Sequence, residues 1–367
     1  MKKQATTTAS YPKTLLLSVQ TPLNHMVNIP SYIEEFHNLA RTNGVVNKME
    51  LDIKIRSIDP GYFLTKGKRD EIKKFCDEHE IEQVIISEPL SPRQAGNLGE
   101  LLDCNIFDRT ELILEIFEKS AHSAEGKMQV AIAMLQHKKA RLAGNGINFG
   151  QQCGSIGVRG GFGETAKEKE KRHIEQGILQ LKRHLEKMHS ARETRRKQRL
   201  SNNELNFCLI GYTNAGKSTI LNTLTNSSVL AEDKLFATLD TTTRSLFTHG
   251  TKKGLISDTV GFIQQLPTRL IDAFKSTLSE LDHADLLLHV VDISDQGWES
   301  HIRVVHEILD DLHIDTPMLY IFNKADKINT ALLMGAIEKY EPHVIISSLS
   351  KEGANDLIEY IHTWMPN

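Results

Sequence analysis

The sequence predicts an α/β protein in three parts: an N-terminal small parallel-sheet domain (1–107), a long antiparallel two-helix arm (108–200) and a P-loop nucleotide-binding domain (201–367). Three observations predict it. Apolar runs alternate with helical stretches from Tyr11 to Phe107, and again from Asn206 onward, which is the rhythm of βα units. Between them, from Asp108 to Arg199, the strand pattern vanishes. Residues 205–210, 211–218 and 219–224 then read as strand, glycine loop and helix in succession. With 367 residues the chain also exceeds the size at which one core stops growing.

In the first part, 14–19 reads as a strand, 32–41 as a helix and 45–55 as a strand. A helix at 67–79, a strand at 83–86, a helix at 91–102 and a short strand at 104–107 follow. Ser91 and Pro92 make a good helix start, because serine satisfies a free N–H and proline carries none. Asp108 with Glu111 resembles a capping box opening the arm. Ile174, Ile178, Leu181, Leu185 and Met188 recur at four- and three-residue intervals, an apolar seam along the arm's second helix. The loop joining the arm's helices, about 144–163, is rich in glycine, so it is expected to stay mobile until something orders it. In the third part, 285–292 is the clearest buried strand; 318–322 and 343–346 read as strands and 358–364 as a helix.

Gly211, Tyr212, Thr213, Asn214, Ala215, Gly216, Lys217 and Ser218, with Thr219 behind them, fit G-x-x-x-x-G-K-[ST] between a strand and a helix. That context makes the match a phosphate site. Glycines let successive N–H groups turn inward toward an anion, and the helix adds its positive N-terminal end. Lys217 is placed to reach the β- and γ-phosphates and Ser218 to ligate Mg²⁺. Asn323, Lys324, Ala325 and Asp326 follow an apolar run, at a strand's carboxyl end where ligands of open α/β sheets gather. A carboxylate there accepts from the N1–H and the exocyclic amine of guanine, and adenine offers neither. Two such bonds, at about 1.5–3 kcal/mol each, amount to roughly 10²- to 10⁴-fold preference for guanine.

Asp258, Thr259, Val260 and Gly261 stand at another strand end; the carboxylate can hold Mg²⁺ through water and the Gly261 N–H can bond the γ-phosphate. The N–H groups of Ser347, Ser348 and Leu349 can close over the guanine, although an ordinary strand-to-helix turn explains them equally well. Phe236, Ala237, Thr238, Leu239 and Asp240 open a threonine-rich stretch without helical or strand period. Nucleotide switches need a hydroxyl that reaches Mg²⁺ only while the γ-phosphate is present. Thr238, Thr241, Thr242 and Thr243 are the candidates, with Thr238 preferred. Lys217, Thr238 and Gly261 are the expected catalytic set. Phe262 stands where many switch GTPases place a water-orienting glutamine, so slow intrinsic hydrolysis is expected. Asn214 matches a position that binds K⁺ in potassium-stimulated GTPases, or it simply steadies the loop.

A net charge of −3 gives no global case for a nucleic-acid partner. Locally, 164–200 carries twelve Lys and Arg against six Glu, with Arg192, Arg195, Arg196 and Lys197 crowding the helix end. They complement the helix dipole in a solvated linker, or, with Arg159 in the glycine loop, they contact a phosphate backbone. The four cysteines have no metal spacing and are expected to be reduced, buried thiols of a cytoplasmic protein. The sixteen histidines show no H-x-x-x-H or H-E-x-x-H spacing, so none is assigned to a metal. No apolar run is long enough for a membrane segment, no signal core is present, and a monomer is expected.

These motifs resemble the translation-factor-class P-loop GTPases and, over nearly the whole chain, the HflX family. The finer likeness lies in Phe236-Ala-Thr-Leu-Asp240, Asp258-Thr-Val-Gly261, Gly67-Lys68 with Glu71-Ile72, Leu90-Ser91-Pro92, Asp108-Arg109-Thr110, Glu125-Gly126-Lys127 with Gln129, and Gly157-Val-Arg159-Gly with Gly163-Glu164-Thr165. The resemblance implies a cytoplasmic GTPase that converts GTP to GDP with Mg²⁺, binds the large ribosomal subunit and splits or recycles ribosomes under stress. It implies that the arm and glycine loop enter a ribosomal RNA site and that Thr238 ligates Mg²⁺. Departures are Thr241 in place of proline, Cys153-Gly-Ser-Ile-Gly157 in place of a more glycine-rich run, and a chain end soon after the last helix, where many relatives continue into another domain. An RNA-modification or ribosome-assembly GTPase, and a GTP-responsive binding module with negligible turnover, remain as alternatives.

Overall fold

The computed structural model describes residues 12–24, 28–144, 166–200, 204–225, 234–236, 238–239, 241–265, 281–329 and 333–366, with backbone alone at 143–144, 166–167, 189–200 and 282. The chain divides into two compact units, Met1–Ile116 with Leu135–Gln176, and Phe117–Met134 with Gly177–Asn367.

In the first unit, β1 (Thr14–Gln20), β2 (Lys48–Lys54), β3 (Gln83–Ile86) and β4 (Asn105–Phe107) form a sheet in the order β2-β1-β3-β4. All pairs are parallel, Leu16 lying beside both Glu50 and Ile85. β1 is buried along almost its whole length, as a central parallel strand covered on both faces must be. Helix α1 (Ile29–Asn43) is longer than the expected 32–41. Asn28 caps it through the Ser31 N–H, Pro30 sits in its first turn, and Gly44 ends it at φ 88°. Those cap signals lie outside the apolar period that marked the helix. Helices α2 (Lys66–His79) and α3 (Pro92–Leu102) stand as expected, α3 with a complete capping box between Ser91 and Gln94. Cys76 is buried and Cys104 half-buried, both as free thiols.

Among the described residues, the expected two-helix arm holds three helices: α4 (Arg109–Ser120), α5 (Ala124–Gly144) and α6 (Ala166–Leu200). Ser123 restarts the chain as a cap, its Oγ accepting the Gly126 N–H at 2.8 Å. Only half of the expected box at Asp108 forms. Its Oδ1 accepts the Glu111 N–H at 2.8 Å, while the Glu111 carboxylate turns to Arg141 at 2.7 Å. Burial pushes the Glu111 carboxyl up to about 7. Arg109 is fully buried, paired with Glu35, and lies 4.7 Å over the Tyr32 ring. The Asp108-Arg109-Thr110 likeness is therefore met by a structural anchor. The seam on α6 starts buried at Ile174 and fades to 37% exposure at Met188.

In the second unit, β5 (Leu205–Gly211), β6 (Thr242–Thr248), β7 (Thr251–Asp258), β8 (Leu286–Asp292), β9 (Met318–Asn323) and β10 (His343–Ile345) form one sheet in the order β10-β9-β8-β5-β7-β6. Only β6 runs antiparallel. β6 takes up Thr242, Thr243 and Arg244 from the stretch expected to lack strand structure. Among the described residues, helices α7 (Lys217–Thr225), α8 (Trp298–Asp311), α9 (Met334–Ile337) and α10 (Asn355–Thr363) accompany this sheet. α7 and α10 cover one face, packing Ile220, Leu221, Leu357 and Ile361 against Phe207, Leu209 and Leu288. β5 lies between β7 and β8, and the chain builds the sheet outward to one side of β5 before crossing to the other. Gly211, Asp258, Asp292 and Asn323 end their strands around that switch point.

His289 sits in the middle of β8, 1% exposed, its Nδ1 without a hydrogen-bond partner among the described residues. Burial, with His306 and then Lys217 nearby, pushes its imidazole down to about 3. The unfolded chain therefore binds a proton that the folded one refuses, and stability falls as pH drops through the window from about 6.5 to about 3. Between pH 7 and pH 5 the loss from this residue is about 2 kcal/mol. Urea unfolding at both pH values is expected to show that much less acid loss in His289→Leu, and equal losses would refute the assignment.

Candidate functional site

Gly211 closes β5 at φ 141°, and a Cβ there would stand 2.2 Å from the Val290 carbonyl oxygen, so only glycine lets the chain turn against β8. Gly216 has φ 101°, and its Cβ would meet Asn323 Nδ2 at 2.3 Å. These two positions demand glycine, and between them Thr213, Asn214 and Ala215 form the turn into α7. Asn214 takes φ 62° and its carbonyl accepts from Lys324 Nζ at 2.9 Å.

Lys217 is buried, with Nζ donating to the carbonyls of Gly211 at 3.1 Å and Tyr212 at 2.8 Å. Burial pulls the ammonium down to about 8, and Asp258 opposes that shift. Asp258 is buried too, and desolvation raises its carboxyl while Lys217 restrains it. The Ser218 hydroxyl donates to Asp258 Oδ2 at 2.6 Å and lies 2.7 Å from Thr238 Oγ1. Asp258 Oδ1 and Thr213 Oγ1 are buried without a hydrogen-bond partner among the described residues. Two hydroxyls and one carboxylate with an unpaired oxygen are the oxygen donors a hard divalent cation takes, so these residues fit Mg²⁺.

Asp258 leads into Thr259, whose Oγ1 donates to the Leu209 carbonyl at 2.7 Å, and on through Val260 to Gly261. Gly261 packs so closely that a Cβ would lie 2.7 Å from Thr213 Cγ2 and 3.0 Å from Lys217 Nζ. Phe262 is 2% exposed and strapped to the phosphate loop: its N–H donates to Gly211 O at 3.1 Å, and its carbonyl accepts from Thr213 N at 2.8 Å. Tyr212 extends the strap, its hydroxyl accepting the Gln264 N–H at 2.8 Å and its ring stacking on His301 at 3.8 Å.

At the end of β9, Asn323 is wholly buried; Nδ2 donates to Ala215 O at 2.9 Å and Oδ1 accepts the Ser348 N–H at 3.1 Å. Lys324 pairs with Asp292 at 2.6 Å and stands at φ 63°. After Ala325, Asp326 is exposed, with Oδ1 accepting the Ser347 hydroxyl at 2.6 Å. The Ser347 N–H goes to Gly353 O at 3.1 Å. The N–H groups of Ser347 and Ser348 are thus engaged inside the protein, the first on Gly353 and the second bracing Asn323, while the Ser347 hydroxyl braces Asp326 and Leu349 is 78% exposed. These groups were expected either to close over the guanine or to form an ordinary strand-to-helix turn, and their internal bonds are those of a turn. Asp292 was not expected, and its position at the end of the most apolar strand was the available signal.

Phe236, Thr238 and Leu239 are described, and Ala237 and Asp240 lie outside the described residues. Arg159 and most of the glycine loop also lie outside them, and Arg192, Arg195, Arg196 and Lys197 are placed by backbone alone in α6. Among the described residues no helix is long and apolar enough to cross a membrane.

Residues 30–118 match a family model described as GTP-binding GTPase N-terminal, 120–199 one described as GTP-binding GTPase middle region, and 206–324 one described as 50S ribosome-binding GTPase. The chain is 41% identical to GTPase HflX of Lacrimispora saccharolytica over 336 residues, 91% of this chain and 79% of that one. It is 37% identical to GTPase HflX of Escherichia coli over 313 residues, 85% of this chain and 71% of that one. Among solved structures it is similar to SsGBP in complex with GDP, at a TM-score of 0.51 and 26% identity, covering 95% of this chain and 97% of that one. With three successive family models and close relatives along most of its length, the chain belongs to the HflX GTPase family and is a P-loop GTPase.

Proposed function

We propose that this GTPase binds GTP and Mg²⁺ through the residues gathered at the β5 switch point, and hydrolyses GTP on the large ribosomal subunit in the splitting or recycling of ribosomes under stress. The observation that carries the nucleotide chemistry is the convergence of Lys217, Ser218, Thr238 and Asp258 around a buried, unpaired carboxylate oxygen. Ser218 and Thr238 would hold Mg²⁺, with Asp258 acting through water. The ion supplies charge neutralisation at the phosphates. Lys217 contributes a further positive charge, and the Gly261 N–H a donor, for the transferring γ-phosphate. Asp326 reads the guanine.

The ribosomal partner is supported by the family-model description over 206–324 and by the basic end of α6. Arg159, Arg192, Arg195, Arg196 and Lys197 are its proposed RNA contacts.

Phe262 bears on turnover. Its ring is buried and cannot hydrogen-bond water, so the residue after Gly261 leaves the attacking water unpositioned. Hydrolysis is then slow in the free protein and accelerates when the ribosome rearranges the switches. Phosphate release measured with and without purified large subunits is expected to differ by about 100-fold or more, the lower end of what positioned groups contribute. Equal, appreciable rates would refute the ribosome's role in catalysis. No turnover under either condition would favour a GTP-responsive binding module.

A further inference from the structure

The geometry points to Phe117 as a positioning residue for the switch threonine: from α4 its ring holds Phe236 in the backbone turn that brings Thr238 to Ser218. This rests on the GTPase reading above and adds a fixed point outside the nucleotide motifs.

Phe236 has φ 57°, a left-handed conformation that a bulky residue with a Cβ leaves unless its surroundings compensate. The compensation is burial. Phe236 is 2% exposed, and its ring meets the Phe117 ring edge-on, with centroids 4.5 Å apart at 83°. Aromatic pairs favour this arrangement. Phe117 is itself fully buried, and Leu235 and Leu239 on either side of the turn are buried as well. Two residues beyond Phe236, the Thr238 hydroxyl lies 2.7 Å from Ser218 Oγ, which donates in turn to Asp258. Phe117 and the switch segment fall in the same compact unit, although Phe117, in the last turn of α4, precedes the phosphate loop by the whole of α5 and α6.

The energetic consequence is specific. A switch threonine contributes while the γ-phosphate is bound, so loosening the turn weakens the triphosphate state and leaves the diphosphate state alone. By linkage, anything that displaces the end of α4 shifts the preference between GTP and GDP by the same route. α4 thereby becomes a handle on switch chemistry.

The test is the affinity of the full chain for fluorescent GDP and for a fluorescent non-hydrolysable GTP analogue, each with Mg²⁺. Phe117→Ala is expected to weaken the analogue about 3- to 10-fold, the range an aromatic pair sets, with GDP changed less than about 2-fold. Phe117→Leu keeps most of the buried volume, guards against a folding defect in the alanine variant, and is expected to weaken the analogue by about 2-fold. Phe117→Ala combined with Phe236→Ala should be no worse than the worse single variant. Unchanged analogue affinity overturns the proposal, as do equal losses for both nucleotides or full additivity. Wild-type protein that binds neither nucleotide sinks the GTPase reading and this proposal with it. Wild type that binds both, beside variants that keep its preference, sinks this proposal alone.

Discussion

Asp326→Asn is expected to lower GTP affinity by roughly 100-fold or more and to transfer binding to xanthosine triphosphate. The carboxylate accepts two donors from guanine, each charge-assisted bond worth about 1.5–3 kcal/mol. Asparagine keeps one acceptor and presents an amide donor to the second position, where it meets the guanine amine. Xanthine carries a carbonyl there, and the pattern matches again. The substitution is clean because the brace around Asp326 does not depend on its charge. Asn323 is anchored to Ala215 O and the Ser348 N–H, and Lys324 is anchored to Asp292 and the Asn214 carbonyl. Ser347 Oγ, which donates to Asp326 at 2.6 Å, can donate equally to an amide oxygen. Titration calorimetry with GTP, xanthosine triphosphate and ATP decides it. A variant that still prefers GTP would show that some other group selects the base.

The backbone of the proposed nucleotide centre was legible because its signals are local. A strand, two obligatory glycines, Lys217 and the first turn of α7 are contiguous, and backbone geometry alone fixes their arrangement. The placement of Asn323 and Asp326 was legible for a similar reason, since they follow directly on a buried strand. β6 was not, because it is an edge strand: with Leu246 buried and Phe247 exposed, few apolar positions betray it, and its threonines read as loop. The break between α4 and α5 escaped because one capping serine interrupts a pattern that stays helical on both sides. The pairings of Asp292 and Phe117 were invisible for a different reason. Each acts through a partner remote in sequence, Lys324 for one and Phe236 for the other, and no local period encodes such a pairing.

The second large effect separates the two phosphate positions. Gly261→Ala is expected to reduce ribosome-stimulated hydrolysis by about 100-fold or more, the usual cost of losing one preorganised donor to a developing anion, with GDP binding kept. A methyl group there would lie 2.7 Å from Thr213 Cγ2, 2.8 Å from Thr213 Cα and 3.0 Å from Lys217 Nζ. The Thr213 backbone cannot retreat, because its N–H is bonded to Phe262 O at 2.8 Å while the Phe262 N–H is bonded to Gly211 O at 3.1 Å. The segment carrying Gly261 must therefore swing away, taking its N–H from the γ-phosphate and pressing on the lysine. GDP has no γ-phosphate and does not register the loss. Gly216→Ala provides the contrast. It needs φ 101° and would place its Cβ 2.3 Å from Asn323 Nδ2, so it distorts the loop shared by every phosphate and the anchor of the base site at once. GDP and GTP binding should both collapse in that variant. Direct binding of each nucleotide, together with phosphate release on ribosomes, distinguishes the two. If Gly261→Ala loses GDP as severely as Gly216→Ala does, the Gly261 N–H is not reserved for the γ-phosphate, and the division of labour between the loop and the switch is wrong.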